Sequence, residues 1–246
     1  MRRRIIVYLT AIAALIGLWE VGAISLRMAA LPTPVSAFTA FFSDLPHGLG
    51  RDLAISTWRV GISIVISLML AVPLGLFLGR EPEFDRFFAP LIYVTYPVPK
   101  IVLLPVIIAL CGLGDFSKIL LITLTIFFQI LVTTRDAARQ LERPFIDSVT
   151  SLGGNKGQIY RHVVLPAVLP EILTALRIAC GTAIAVLFFA ETIASQDGLG
   201  YYFMDAWTRC DWADVFAAVI AMSILGLALY MALEWIEHRL CPWKHL

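Results

Sequence analysis

Four side chains place chemistry inside stretches of hydrocarbon: Lys100, Gln129, Arg177 and Glu191. A charge at the centre of a membrane-spanning helix costs about 2.5–3.5 kcal/mol, so such groups should face protein or a water-filled path rather than lipid. Lys100 sits between Pro99 and Pro105, deep in an apolar run, where it either faces such a path or snorkels to the interface. Arg177 and Glu191 are 14 residues apart on one helix, about four turns or about 21 Å, which is too far for them to pair with each other. Each is expected either to pair with a neighbouring helix or to touch a solute. These four residues are the candidates for lining a water-filled path.

Bond-making chemistry has no comparable footing. There is no GxxxxGK followed by Ser or Thr, so no loop of the P-loop type cradles nucleotide phosphates. There is no HExxH and no GxSxG, which removes the usual residues of intramembrane proteolysis and lipid hydrolysis. Cys111, Cys180, Cys210 and Cys241 are scattered without a CxxC pair, so neither a disulfide framework nor a metal site is expected. Any energy for transport must come from an ion gradient or from a partner.

The elements that would position these groups are membrane helices. Of 246 residues, 59% are hydrophobic and only 15% charged, and the mean hydropathy is +0.84. Soluble domains are about a quarter charged, so the bilayer is this chain's solvent. A net charge of +1 gives no basic surface for nucleic acid. Apolar runs and breakers predict an all-α polytopic membrane protein forming a single transmembrane domain over 1–246. Its six spans fall at 5–26, 56–79, 87–111, 117–134, 171–194 and 213–235. Pro97, Pro99 and Pro105 interrupt the third. Ser36 is a candidate cap for a short amphipathic helix after Leu31-Pro32-Thr33-Pro34. Most Lys and Arg fall on one side, with Arg27, Arg51, Lys118 and Arg209 opposite, which puts both termini in the cytoplasm. No internal repeat is visible, which weakens the alternative of an ion-coupled secondary transporter.

The one long polar island, 135–170, lies on the cytoplasmic side. Pro144 suits a helix start, and Asp147 is expected near that positive helix end. Phe145, Val149 and Leu152 form one apolar stripe, and Gly153-Gly154 stops the helix. Asn155 is expected to cap a second helix ended by Leu165-Pro166. The result is a compact knob with an apolar stripe, fit to dock on a protein or to lie on lipid headgroups.

Asp147-Ser148-Val149, three residues, Gly153, nine residues, Val163, one residue, then Leu165-Pro166 follows the spacing of the EAA loop. In this way the chain resembles the permease subunits of bacterial ABC importers. Asp147 stands for Glu, Ser148 and Val149 for Ala-Ala, and Val163 for Ile. YPVPKIVLLPVIIALCGLGDFSKI, LPAVLPEILTALRIACGTAIAVLFFAE and DGLGYYFMDA are similar to the nitrate/sulfonate/taurine-type subfamily, over roughly residues 31–212. The resemblance implies the six-helix type I importer permease fold in the bacterial inner membrane. It implies a second permease subunit in a homodimer, a cytoplasmic ABC ATPase dimer and an extracytoplasmic solute-binding protein. Asp147, Ser148, Val149, Leu152, Gly153, Gly154, Asn155 and Lys156 are the residues it implies for contact with the ATPase. No cofactor is expected on this chain, ATP being used by the partner, and the solute is expected to be a small anion such as a sulfonate, taurine or nitrate.

Overall fold

Every long apolar run becomes a helix. The computed structural model describes residues 2–245, with the side chains of 10–142, 144–193 and 195–243, so the side chains of Arg2, Arg3, Arg4, Arg143 and Lys244 lie outside the described ones. In chain order the helices are α1 (Arg2–Leu26), α2 (Pro34–Asp44), α3 (Leu49–Arg80), α4 (Pro82–Thr95) and α5 (Leu104–Cys111). They continue as α6 (Asp115–Gln140), α7 (Arg143–Ser151), α8 (Lys156–Ile159), α9 (Leu165–Ala194), α10 (Leu199–Thr208) and α11 (Trp212–Leu240). No strand occurs among the described residues.

Four helical stretches are long and apolar enough to cross a membrane: Leu49–Arg80, Asp115–Gln140, Lys156–Ile193 and Trp212–Leu240. A fifth forms if Pro82–Thr95 and Lys100–Cys111, bent by 80°, count as one span, and Thr10–Leu26 is a shorter apolar helix. The bend falls at the Pro97–Pro99 break, as expected where two missing donors meet residues barred from the helical region.

Several helices run past the ends of the six spans expected from the sequence. The second span starts at Leu49 rather than 56, with Asp52 in its first turn, where the helix dipole favours an acid. The third starts at Pro82 rather than 87, because Pro fits the first helical turn. The fourth runs on to Gln140 and the fifth begins at Leu165, so much of the 135–170 island belongs to the ends of spans rather than to a loop. The sixth reaches Leu240 instead of 235. Hydropathy locates the bilayer, whereas hydrogen bonding carries a helix beyond it. Thr33, not Ser36, caps α2: its side chain accepts from the Ser36 N–H, with Pro34 following.

Contacts divide the chain into two compact units, Met1–Ser56 with Glu191–Ile224, and Thr57–Ala190 with Leu225–Leu246. In the first, the Trp19 ring stacks on Phe216 with centroids 5.2 Å apart, and its Nε1 donates to the Pro32 carbonyl at 2.9 Å. In the second, Leu76 of α3, Ala138 of α6 and Val164, Val168 and Ile172 around the start of α9 form a buried cluster. Ile159 and Tyr160 pack against it. The polar island is thereby seated on a core at the ends of three helices.

Candidate coupling surface and membrane-embedded polar groups

In the island, α7 carries no acid in its first turn, so Asp147 lies beyond the reach of the helix end expected to favour it. Its hydroxyls turn inward: Ser148 Oγ donates to the Pro144 carbonyl at 2.8 Å and Thr150 Oγ1 to that of Ile146 at 2.9 Å. The glycine pair works as expected. Gly153 takes φ +79° and its N–H reaches the Thr150 carbonyl at 2.9 Å. At Gly154 a Cβ would stand 2.4 Å from Val149 Cγ1 and 2.8 Å from Val149 O, so no side chain fits there. Asn155 then caps α8 reciprocally: its Oδ1 accepts from the Gln158 N–H at 2.9 Å, and its own N–H donates to Gln158 Oε1 at 2.8 Å.

The second helix does not end at Leu165-Pro166. A π-helical turn, Tyr160–Val164, joins α8 to α9, and the Leu165 N–H bonds to the Tyr160 carbonyl. Pro166 lacks an N–H, and the wider turn lets the chain pass it without a break. The turn around Gly153 is therefore joined by continuous helix to α9. On its outside Phe145 is 58% and Leu152 88% exposed, with Val149 half-buried between them. Asp147, Ser148, Asn155 and Lys156 are exposed as well. Lys156 Nζ lies 3.1 Å from Glu81 Oε1, an exposed pair that adds little stability. The island presents an uncovered apolar stripe on a base held by a core.

Each of the four membrane-embedded candidates has its own partners. Lys100 Nζ donates to the carbonyls of Thr95 and Tyr96 at 2.7 and 2.6 Å, and lies 4.7 Å from the Phe128 ring centroid. It closes the open carbonyl end of α4 at the break. Gln129 Nε2 donates to Thr182 Oγ1 at 3.3 Å, while its buried Oε1 has no protein partner. Arg177 of α9 forms an ion pair with Glu237 of α11, and its guanidinium lies 5.2 Å from the Tyr230 ring. Glu237 is only 5% exposed. Removing one member of a buried pair strands the other charge. Arg177→Met is therefore expected to lower stability by roughly 2–4 kcal/mol. The double variant Arg177→Met/Glu237→Gln should recover most of the loss in thermal unfolding. A double variant that unfolds normally but transports nothing would instead assign Arg177 to the solute.

Glu191 is fully buried within the first unit. The Ser56 hydroxyl lies 2.9 Å from both carboxyl oxygens, sharing one proton between them. The Gly200 N–H donates to Glu191 Oε2 at 2.9 Å, the Leu199 N–H to Ser56 Oγ at 2.9 Å, and the Gly198 N–H to Asp52 Oδ1 at 2.8 Å. Three successive N–H groups at the start of α10 are thus satisfied by side chains of α3 and α9. A helix start otherwise leaves its N–H groups without partners, and it favours acids. Glu191 is a remote cap for α10, not a partner for Arg177.

Sequence reasoning passed over three further features. Arg59 of α3 is 1% exposed and its Nε donates to Asp115 Oδ1 at 2.8 Å. Arg135, taken for a loop residue, is 1% exposed and grips Asp85 with two nitrogens, one of them Nη2 at 2.8 Å from Oδ2. The short helix α10 is not among the elements expected from the sequence. An Arg within the second apolar run was the available signal for the first. The other two depend on tertiary contact.

Residues 71–242 match the family described as binding-protein-dependent transport system inner membrane component. The taurine transport system permease protein TauC of Escherichia coli is 32% identical over 195 residues, covering 79% of this chain and 71% of that protein. The putative aliphatic sulfonates transport permease protein SsuC of the same organism is 31% identical over 237 residues, 94% of this chain and 89% of the relative. The formylaminopyrimidine transport permease protein ThiX of Halalkalibacterium halodurans is 29% identical over 239 residues, covering 92% and 91%. Among solved structures, a chain of the MetNI methionine ABC transporter in an inward-facing conformation superposes with a TM-score of 0.68. It is 18% identical and covers 78% of this chain and 95% of that one, a likeness of fold.

Proposed function

We propose, for a chain that belongs to the family of binding-protein-dependent transport system inner membrane components, that the 135–170 island is where a partner ATPase drives it. Membership makes the chain the permease subunit of an ABC importer, a multi-pass inner-membrane protein and a transport subunit rather than a catalytic enzyme. The family implies assembly with an ATPase and a binding protein. Two copies of this chain form one translocation path, each through a single transmembrane domain, with an ATPase dimer beneath and one binding protein outside. Both termini and the island face the cytoplasm, and ATP is bound by the partner alone.

The observation that carries the reading is the exposed Phe145–Leu152 stripe on a base packed against α3, α6 and α9. A rigid knob passes a rotation of the partner on to the helices it is joined to. Asp147, Ser148, Val149, Leu152, Gly153, Gly154, Asn155 and Lys156 make that contact. The solute is a small anion of the sulfonate kind, as the names of two relatives suggest, and Lys100 and Gln129 stand nearest its path. The ligand that co-purifies with the partner binding protein tests this part: a small sulfonate or similar anion is expected. A cation or a sugar would overturn the solute and leave the coupling surface standing.

A further inference from the structure

A cavity of about 460 Å³ lies between α4 and the ends of α3 and α6. From α4 it is lined by Pro82, Asp85, Arg86, Ala89, Pro90 and Tyr93, a single stripe along one helix face. Arg135 and Arg139 line it from α6. The stripe is graded. Its charged members stand at the helix start, and its apolar members follow over the next two turns, about 10 Å along the axis.

The charges do not cancel. Asp85 is consumed by the buried Arg135, which also lies 3.3 Å from Asp136, and Arg139 reaches Asp85 only at 3.5 Å while 67% exposed. Arg86 is exposed and has no acid within ion-pair distance among the described residues. Arg86 is thus left for a ligand, and the exposed Arg139, which shares Asp85 with the buried Arg135, lines the other side of the cavity. Beside them Phe87, Leu91 and Val94 are 70%, 55% and 73% exposed, and Tyr93 is 58% exposed within the lining.

We propose that this cavity holds the headgroup of an anionic phospholipid, its phosphate between Arg86 and Arg139 and its acyl chains along Pro90, Tyr93 and the exposed apolar face of α4. Guanidiniums bind phosphate oxygens through paired hydrogen bonds, and basic recesses at the cytoplasmic ends of spans suit anionic headgroups. A free phosphate shares the charge chemistry but leaves the apolar half of the groove empty. The site rests on the reading that α4 enters the bilayer from the cytoplasm.

Native mass spectrometry of the full chain in mild detergent, titrated with phosphatidylglycerol or phosphatidylcholine, tests it. One phosphatidylglycerol per chain is expected to survive activation that strips phosphatidylcholine. In Arg86→Gln/Arg139→Gln its affinity should fall about thirty-fold, at about 1 kcal/mol for each basic residue. That variant leaves the buried Arg135–Asp85 pair intact, and an unchanged melting temperature checks its fold. Equal retention of both lipids by the unaltered protein, or full retention in the variant, would overturn the proposal. So would displacement of phosphatidylglycerol by equimolar inorganic phosphate, which would make this a free-anion site. The topological premise is tested apart: Glu83→Cys, in a chain without other cysteines, should react with an impermeant maleimide only from the cytoplasm. Labelling from outside removes the premise whatever the lipid measurement gives.

Discussion

Leu152→Asp leaves the protein in the membrane at its normal level and abolishes solute-stimulated ATP hydrolysis by the partner ATPase. The two halves of this result have separate causes. Leu152 is 88% exposed, so its replacement disturbs no packing within the chain, and exposed substitutions of this kind change stability by about 0.5 kcal/mol or less. An apolar anchor seated in a partner's cleft is a different matter. Truncating such a residue costs about 2 kcal/mol or more, roughly thirty-fold in affinity, and a buried unpaired carboxylate adds to that. Gly153→Val provides the contrast. At φ +79° a β-branched residue strains the turn by about 1–2 kcal/mol, so this variant should lose both coupling and thermal stability. Normal stimulation in Leu152→Asp, with the protein correctly inserted, would remove the island from the coupling mechanism.

Glu191→Ala is expected to have the largest effect on stability. It removes the acceptor of the Ser56 hydroxyl and of the Gly200 N–H at a site with no exposed surface. Each stranded buried donor costs about 1–3 kcal/mol, so a loss of roughly 2–6 kcal/mol should appear in thermal unfolding. The damage should centre on α10, whose first N–H groups lose a partner, and hydrogen exchange at Leu199–Thr208 should rise before that of α11. Glu191→Gln should be milder. Its amide oxygen can still accept from Gly200 while its nitrogen donates to Ser56 Oγ. Equal damage in the two variants would mean that the charge itself, not the cap, is what this position supplies. An unaltered Glu191→Ala would contradict the capping role.

Much of this was legible in the residues, for reasons that can be separated. The Gly153-Gly154 stop, Pro144 in the first turn and the Asn155 cap are local, since backbone conformation and short-range hydrogen bonds decide them. The stripe of Phe145, Val149 and Leu152 follows from helical period. What stayed hidden depends on partners far away in sequence. Nothing near Arg135 signals that Asp85, 50 positions earlier, would draw it out of the loop and into α6. Nothing near Glu191 shows that its oxygens would cap a helix starting eight residues later. Leu165-Pro166 misled because proline usually ends a helix, and a single π turn was enough to carry the chain past it. The sequence shows Lys100 only as a charge needing a path or an interface. That the helix broken by the prolines also supplies carbonyls for it depends on how the chain folds back at the break.

The central claim is that this chain carries solute inward on energy released in the partner ATPase and passed on through the Leu152 surface. Its most direct test is uptake into proteoliposomes that hold the chain with its ATPase, ATP enclosed, and the loaded binding protein outside. Solute should accumulate only with ATP inside, and not at all with Leu152→Asp. Accumulation driven by an ion gradient in vesicles without the ATPase would contradict it.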